Sequence, residues 1–258
     1  VRTGWVIAAP LDAGWAFTTV SASGETAFHE GADPDLASGL LEGGARIGLV
    51  LGHEEAPLAA LPCDPIRTLA GIAADGAWRI LPRFSQTSPL MLSGGEELIL
   101  AGAMAIAPKF DGTILVRQAG RALWAQVSAG EVVSILGSVT PALRAGLAPG
   151  AVSNAARVAE AASETLSRPE RLSALLASLS AQRRLAAMDH AGEADLVAGW
   201  LLGAELASAK AWWLGQPVLL IADEADGAGS VLAAQGLSLH PLTPGAALLA
   251  GLKTVAPL

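Results

Sequence analysis

The residues that could do chemistry are few. Glu96 and Glu97 follow the glycine pair Gly94-Gly95 and lead into an almost wholly apolar run, Leu98 to Ile106. They are the main acidic candidates, and carboxylates at the start of a helix also answer the positive end of its dipole. Ser93 is placed to cap that helix. The glycine pairs Gly43-Gly44 and Gly94-Gly95 could each present backbone N–H groups to an anion, or form ordinary turns. His53-Glu54-Glu55 lies just past an apolar run, at a strand's C-terminal end where α/β sites form; a solvated turn is the alternative. The other histidines, His29, His190 and His240, are not spaced for a shared metal on one helix, and no metal site is expected. Cys63 lies between Pro62 and Pro65 and reads as a small structural residue. Trp212-Trp213 reads as helix-end packing. There is no tyrosine. The sequence has no G-x-G-x-x-G after a first strand, no G-x-x-x-x-G-K-[ST] and no G-x-S-x-G. Dinucleotide, P-loop and hydrolase-elbow readings are therefore set aside.

These residues must be held by a chain of 258 residues, long enough for one large domain or two small ones. Apolar residues make up 52% and charged residues 16%, with Ala and Leu carrying the hydropathy. No uninterrupted apolar run approaches the length of a membrane span. A net charge of −8 argues against nucleic acid or an anionic membrane as partner. One cysteine excludes an internal disulfide framework and suits a cytoplasmic protein. The N-terminus reads as a first strand rather than a signal peptide.

Strand candidates are Trp5 to Ala9 and Trp15 to Val20, an opening hairpin, then Arg46 to Gly52 and Ala77 to Leu81. A short helix is expected from Asp33 to Glu42. Leu92 to Val116 reads as loop, helix, turn and strand, its small residues Ala101, Gly102 and Ala105 suited to close packing on something flat, such as a sheet. Ala122 to Val127 and Glu131 to Leu136 form a second hairpin. Thr140 caps a helix to Leu147. Helices follow over Ala151–Leu166, Pro169–Ser180, Ala181–Met188 and Glu193–Trp213, the last with one apolar face. Pro217–Ile221 is a buried strand, followed by a helix to Gln235, a strand at Leu237–Leu239 and a final helix Pro244–Leu252. The alternation predicts an α/β protein with mixed sheets flanked by helices. The expected boundary lies near Pro108, giving domains 1–108 and 109–258.

The segments GGEELILAGAMAIAPKFDGTILV, LWAQVSAGEVVS, SRPERLSALL and AGWLLGAELASAKAWWLGQPVLLIA, with the final helix, resemble the 2-dehydro-3-deoxygalactonokinases. That resemblance implies a two-domain actin-like ATPase (sugar kinase) fold, with the opening hairpin as its phosphate-binding hairpin. It implies ATP-dependent phosphorylation of a 2-keto-3-deoxy sugar acid, with Mg2+ and ATP as cofactors if the protein is active. Sugar acid and ATP would be the partners, and a homodimer is left open.

The resemblance also places the site. Where the family has Asp-Trp-Gly-Thr-Thr, this chain has Ala9-Pro10-Leu11-Asp12-Ala13; Asp12 is near the motif but not at its aspartate position. The Arg-Gly-Glu-Glu-Thr-Gln pattern survives as Gly95, Glu96 and Glu97, with Gly94 in place of its arginine. The second phosphate loop, Pro-Gly-Thr-His-Thr-Lys-Trp in the family, is Gln118-Ala119-Gly120-Arg121-Ala122-Leu123-Trp124, and Met-Thr-Gly-Glu is Val139-Thr140-Pro141-Ala142. Gly94, Gly95, Gly120, Arg121 and Thr140 are the implied phosphate or substrate contacts; Gly199, Gly203 and Glu205 are the implied nucleotide contacts. Catalytic candidates are Asp12, Glu96 and Glu97. Pro10 and Pro141 remove N–H donors from loops that would hold phosphate. Three readings follow: a working kinase with unusual motifs, a non-catalytic paralogue that binds or regulates, and a sugar-acid binder using Arg121.

Overall fold

The computed structural model describes residues 3–11, 14–31, 47–72, 78–118, 120–185, 187–223 and 227–256. Asp12, the expected helix at 33–42 and the Gly43-Gly44 pair lie outside them. The chain divides into two compact units, one comprising residues 1–111, 127–135 and 244–258, the other 112–126 and 136–243.

The first unit is built on a five-stranded mixed sheet. β1 (Thr3–Leu11) pairs antiparallel with β2 (Gly14–Ser21), which pairs with β3 (Thr26–Gly31). On its other side β1 runs parallel to β4 (Ile47–Val50), and β4 to β6 (Trp78–Ile80), giving the order β3-β2-β1-β4-β6. The expected hairpin and buried parallel strand are thus present. Alternation in β1 and β2 sends Val6, Ala8 and Phe17 into one apolar cluster. A small second sheet has the order β5-β7-β8, from β5 (Leu58–Ala60), β7 (Arg83–Thr87) and β8 (Leu90–Leu92). α1 (Pro65–Ala70) starts at Asp64, whose carboxylate accepts the Arg67 N–H at 3.1 Å.

α2 (Glu97–Ile106) is buried nearly all round and packs on α10 (Pro244–Val255). Gly102, one of the small residues foreseen here, meets a helix. A Cβ on Gly102 would stand 1.8 Å from the Ala247 carbonyl, and one on Gly251 would stand 2.1 Å from that of Leu98. Only glycine allows this backbone-to-backbone approach. The same C-terminal segment is tied to β1 by Trp5 Nε1, which donates to Ala256 O at 2.7 Å.

The other five-stranded sheet has the order β11-β10-β9-β12-β13, from β9 (Gly112–Arg117), β10 (Ala122–Ser128), β11 (Glu131–Ser138), β12 (Val218–Ile221) and β13 (Leu239–Leu242); β9, β12 and β13 lie wholly in the second unit. β9, β12 and β13 are parallel, and β9 and β12 are buried throughout. β13 begins where the expected strand ends. Its parallel register with β12 pairs Val218 with Leu239 and Leu220 with Pro241, and proline is tolerated because β13 is an edge. Around the sheet lie α3 (Thr140–Leu147), α4 (Ala155–Ser167), a 3-10 turn (Pro169–Arg171), α5 (Leu172–Ala177) and α6 (Leu179–Leu185). α7 (His190–Ser208), α8 (Lys210–Trp213) and α9 (Ala228–Ala234) complete the unit. The expected Glu193–Trp213 helix is two helices. Ala209 closes α7, and Trp213 folds back so that its Nε1 donates to Leu206 O at 2.8 Å. Among the described residues no helix is long and apolar enough to cross a membrane.

Candidate functional site

In the first unit, Ser93, Gly94, Gly95, Glu96 and Glu97 form one closed hydrogen-bonded turn. Glu96, not Ser93, is the N-cap of α2, and its side chain makes no capping bond. The Ser93 hydroxyl instead accepts the Phe84 N–H at 2.7 Å and donates to Glu97 Oε1. Gly94 N–H donates to Glu96 Oε2 at 2.5 Å and Gly95 N–H to Glu97 Oε1 at 3.4 Å. Gly95 manages this at φ +116°, a conformation closed to most residues. The N–H groups that sequence reasoning offered to an external anion therefore meet the chain's own carboxylates.

Both carboxylates are 1% exposed. Burial, with the neighbouring Glu96 charge in the same direction, raises the Glu97 carboxyl from 4.5 to about 7 against the lowering bonds from Ser93 and Gly95. Glu97 Oε2 has no hydrogen-bond donor among the described residues. A carboxyl in this state is half protonated near neutrality.

His53, beyond β4, lies ring-to-ring on Trp15, centroids 5.8 Å apart and 11° from coplanar, with Nδ1 accepting the Glu55 N–H at 3.2 Å. Burial pushes the Cys63 thiol up, away from the reactive thiolate, and its backbone pairs with Val132.

In the second unit the centre is Glu205, on α7. Its Oε1 accepts from Arg117 Nη1 at 2.7 Å and from Trp124 Nε1 at 3.1 Å, and its Oε2 accepts from the Thr140 hydroxyl. Arg117 ends β9, Trp124 is on β10, and Thr140 opens α3. Thr140 is not the cap the sequence suggested: Val139 holds that position without a side-chain bond. Gly199 and Gly203 face α4, where a Cβ would stand 2.5 Å from Val158 O and 2.1 Å from Ala162 O respectively. Gly120 and Arg121 lie on the β9–β10 turn, which Gln118 and Arg121 close by mutual backbone bonds of 2.8 and 3.3 Å. Gly120 is exposed with nothing near its Cα side.

Two cavities open beside this network. One, of about 310 Å³, is lined by Arg117, Gln118, Arg144, Gly150 and Asp223 among others; the second, of about 400 Å³, by Val152, Ser153, Leu220, Ala222, Asp223 and Pro241 among others. The loop between α3 and α4 walls both. Asp195, wholly buried on α7, holds it by accepting Ser153 N and Oγ at 2.8 Å each and Asn154 N at 3.3 Å. Arg144 Nη2 donates to Gly150 O at 2.6 Å from the other side. Sequence reasoning missed Arg117, Arg144 and Asp195. The signal for Arg117 was a charged residue closing an otherwise apolar parallel strand.

Among the described residues no group of three His, Cys, Asp or Glu is placed to hold a metal ion. Glu96 and Glu97 in the first unit, and Glu205 in the second, are each buried and hydrogen-bonded within their own unit. These groups do not fit a magnesium–polyphosphate ligand, which needs carboxylate oxygens or their bound waters within reach of the ion.

The two mixed five-stranded sheets with covering helices make this a two-unit α/β protein. The sequence matches the model of the 2-keto-3-deoxy-galactonokinase family over residues 14–255, and the chain belongs to that family. A proposed 2-dehydro-3-deoxygalactonokinase from Sinorhizobium meliloti superposes with TM-score 0.79 at 20% identity, over 98% of this chain and 97% of that one. More distant matches are component A of the Acidaminococcus fermentans (R)-2-hydroxyglutaryl-CoA dehydratase (TM-score 0.44, 13% identity, 96% and 97% covered) and the Clostridium difficile activator of 2-hydroxyisocaproyl-CoA dehydratase (TM-score 0.46, 10% identity, 97% and 92% covered). No curated protein matches the sequence.

Proposed function

We propose that this family member retains the kinase fold as a small-molecule binding protein and has lost efficient phosphoryl transfer. Its relatives' reaction moves the γ-phosphoryl of Mg·ATP to a hydroxyl of a 2-keto-3-deoxy sugar acid. That reaction depends on positioning and on neutralising charge. The observation that carries the reading is Glu205: its carboxylate is closed off by Arg117, Trp124 and Thr140, which supply it with three internal donors. Glu96 and the Gly94-Gly95 N–H groups are likewise engaged within the chain. The test is a coupled assay with Mg·ATP and 2-dehydro-3-deoxygalactonate at high protein concentration. No turnover above the blank is expected; turnover at the 1–100 s⁻¹ typical of kinases, to order of magnitude, would sink the proposal.

One observation favours a second reading, a working kinase with altered motifs. Glu97 titrates at about 7, where a general base is most effective. On that reading Glu97→Gln abolishes turnover in a protein that still folds.

A further inference from the structure

The cavities in the second unit have a charge balance that a polyphosphate does not match. Among the described residues the charged side chains lining the pair are Arg117, Arg144 and Asp223, and Asp223 lines both. Behind Arg117, at 2.7 Å, lies the buried Glu205 carboxylate, which cancels its charge. These four groups sum to zero, and among the described residues no lysine lines either cavity. A polyphosphate brought here gains little from Arg117 and meets Asp223 as a like charge.

A smaller anion is treated differently. Arg144 stands on the wall of the first cavity, anchored to Gly150 O, and its guanidinium suits one planar or tetrahedral anionic head group. The second cavity offers an apolar surface from Val152, Leu220, Ala222 and Pro241, with Ser153 and Ser230 at its edge. Volumes of about 310 and 400 Å³ suit a small metabolite.

We infer that the paired cavities take a ligand with a single anionic head group, a carboxylate or a phosphate monoester, and reject polyphosphates. This rests on the reading of the chain as a binding protein, and deepens it by naming the charge class of the ligand.

The experiment is calorimetry on the full chain with D-gluconate, AMP, and ATP with and without magnesium, at fixed ionic strength because salt screens such differences. The expected result is binding of gluconate or AMP at millimolar dissociation constant or tighter, with ATP at least about tenfold weaker than the better of the two. The gluconate and AMP arms tell a carboxylate ligand from a phosphate one. Arg144→Gln weakens that binding on the order of tenfold, and Asp223→Asn raises ATP affinity several-fold while changing gluconate less. Absence of binding by both small anions, ATP binding as tight as theirs, or an Asp223→Asn variant with an unchanged ATP-to-gluconate ratio overturns the inference. Tight ATP binding without turnover overturns it and leaves the loss of transfer standing; turnover overturns the loss of transfer.

Discussion

Arg117 Nη1 and Glu205 Oε1 stand 2.7 Å apart with side chains 4% and 1% exposed, so a strand end and the last turn of the longest described helix are joined by a buried ion pair. Removing one partner of such a pair leaves the other charged and dry. Glu205→Ala should cost about 3–5 kcal/mol of unfolding free energy. Paired replacement by Arg117→Met and Glu205→Leu should recover most of that loss, because the desolvation cost leaves with both charges. Urea titration of the wild type, the single variant and the pair measures this. Equal losses in the single and double variants would contradict it.

The buried Glu97 carboxyl sets a pH dependence whose sign is fixed by its raised value. The native state holds the Glu97 proton up to about pH 7, and the unfolded chain releases it near 4.5. Between those values the native state binds more protons, so stability falls as pH rises. The contribution is fully present below about 4.5, is lost on passing through 7, and is on the order of 3 kcal/mol across the window. Glu97→Gln mimics the protonated form. Its melting temperature should match the wild type at pH 5 and exceed it at pH 8. A variant less stable than the wild type at pH 8 would refute this.

Close helix packing gives a sharper contrast. A methyl group at Gly102 would meet Ala247 O at 1.8 Å, and one at Gly203 would meet Ala162 O at 2.1 Å, both backbone atoms that cannot step aside. Gly120 has nothing within 4 Å. Gly102→Ala and Gly203→Ala should each cost several kcal/mol, at or beyond the about 1–3 kcal/mol of ordinary overpacking. Gly120→Ala should change stability by less than about 0.5 kcal/mol. Thermal unfolding of the three variants side by side measures the difference.

The same residues explain what could be read from the sequence. The β1–β2 hairpin, the parallel strands β4 and β12 and the helices α2, α3 and α4 follow from local signals: alternation, apolar runs and proline or glycine stops. The α2–α10 pairing did not, because Gly102 and Gly251 are distant in sequence and their close approach has no local signature. β13 was displaced because its position follows from register with Val218–Ile221 rather than from its own residues. At the site, residue types were legible and their partners were not. Ser93 and Thr140 have the composition of helix caps, but each gives its hydroxyl to a buried glutamate, and that geometry exists only in the folded chain. Arg117 was passed over because one charge at the end of a strand carries no motif.

Asp195 holds the loop that walls both cavities, through three bonds from Ser153 and Asn154 and a longer one from Arg157 Nη1 at 3.5 Å. Asp195→Asn keeps the side-chain shape and replaces one acceptor oxygen by a donor, which faces either the Ser153 hydroxyl or the backbone N–H pair. Hydrogen bonds to a charged group contribute about 1.5–3 kcal/mol each, so the loop should open far more often than the helices around it. Hydrogen exchange at residues 150–154 should quicken by at least about tenfold, while β12 and the middle of α7 keep their protection. Asp195→Ala should extend the effect to global stability, since it leaves Ser153, Asn154 and Arg157 without the carboxylate. If Asp195→Asn accelerates exchange uniformly along α7 and β12, the residue supports the whole unit rather than positioning the loop.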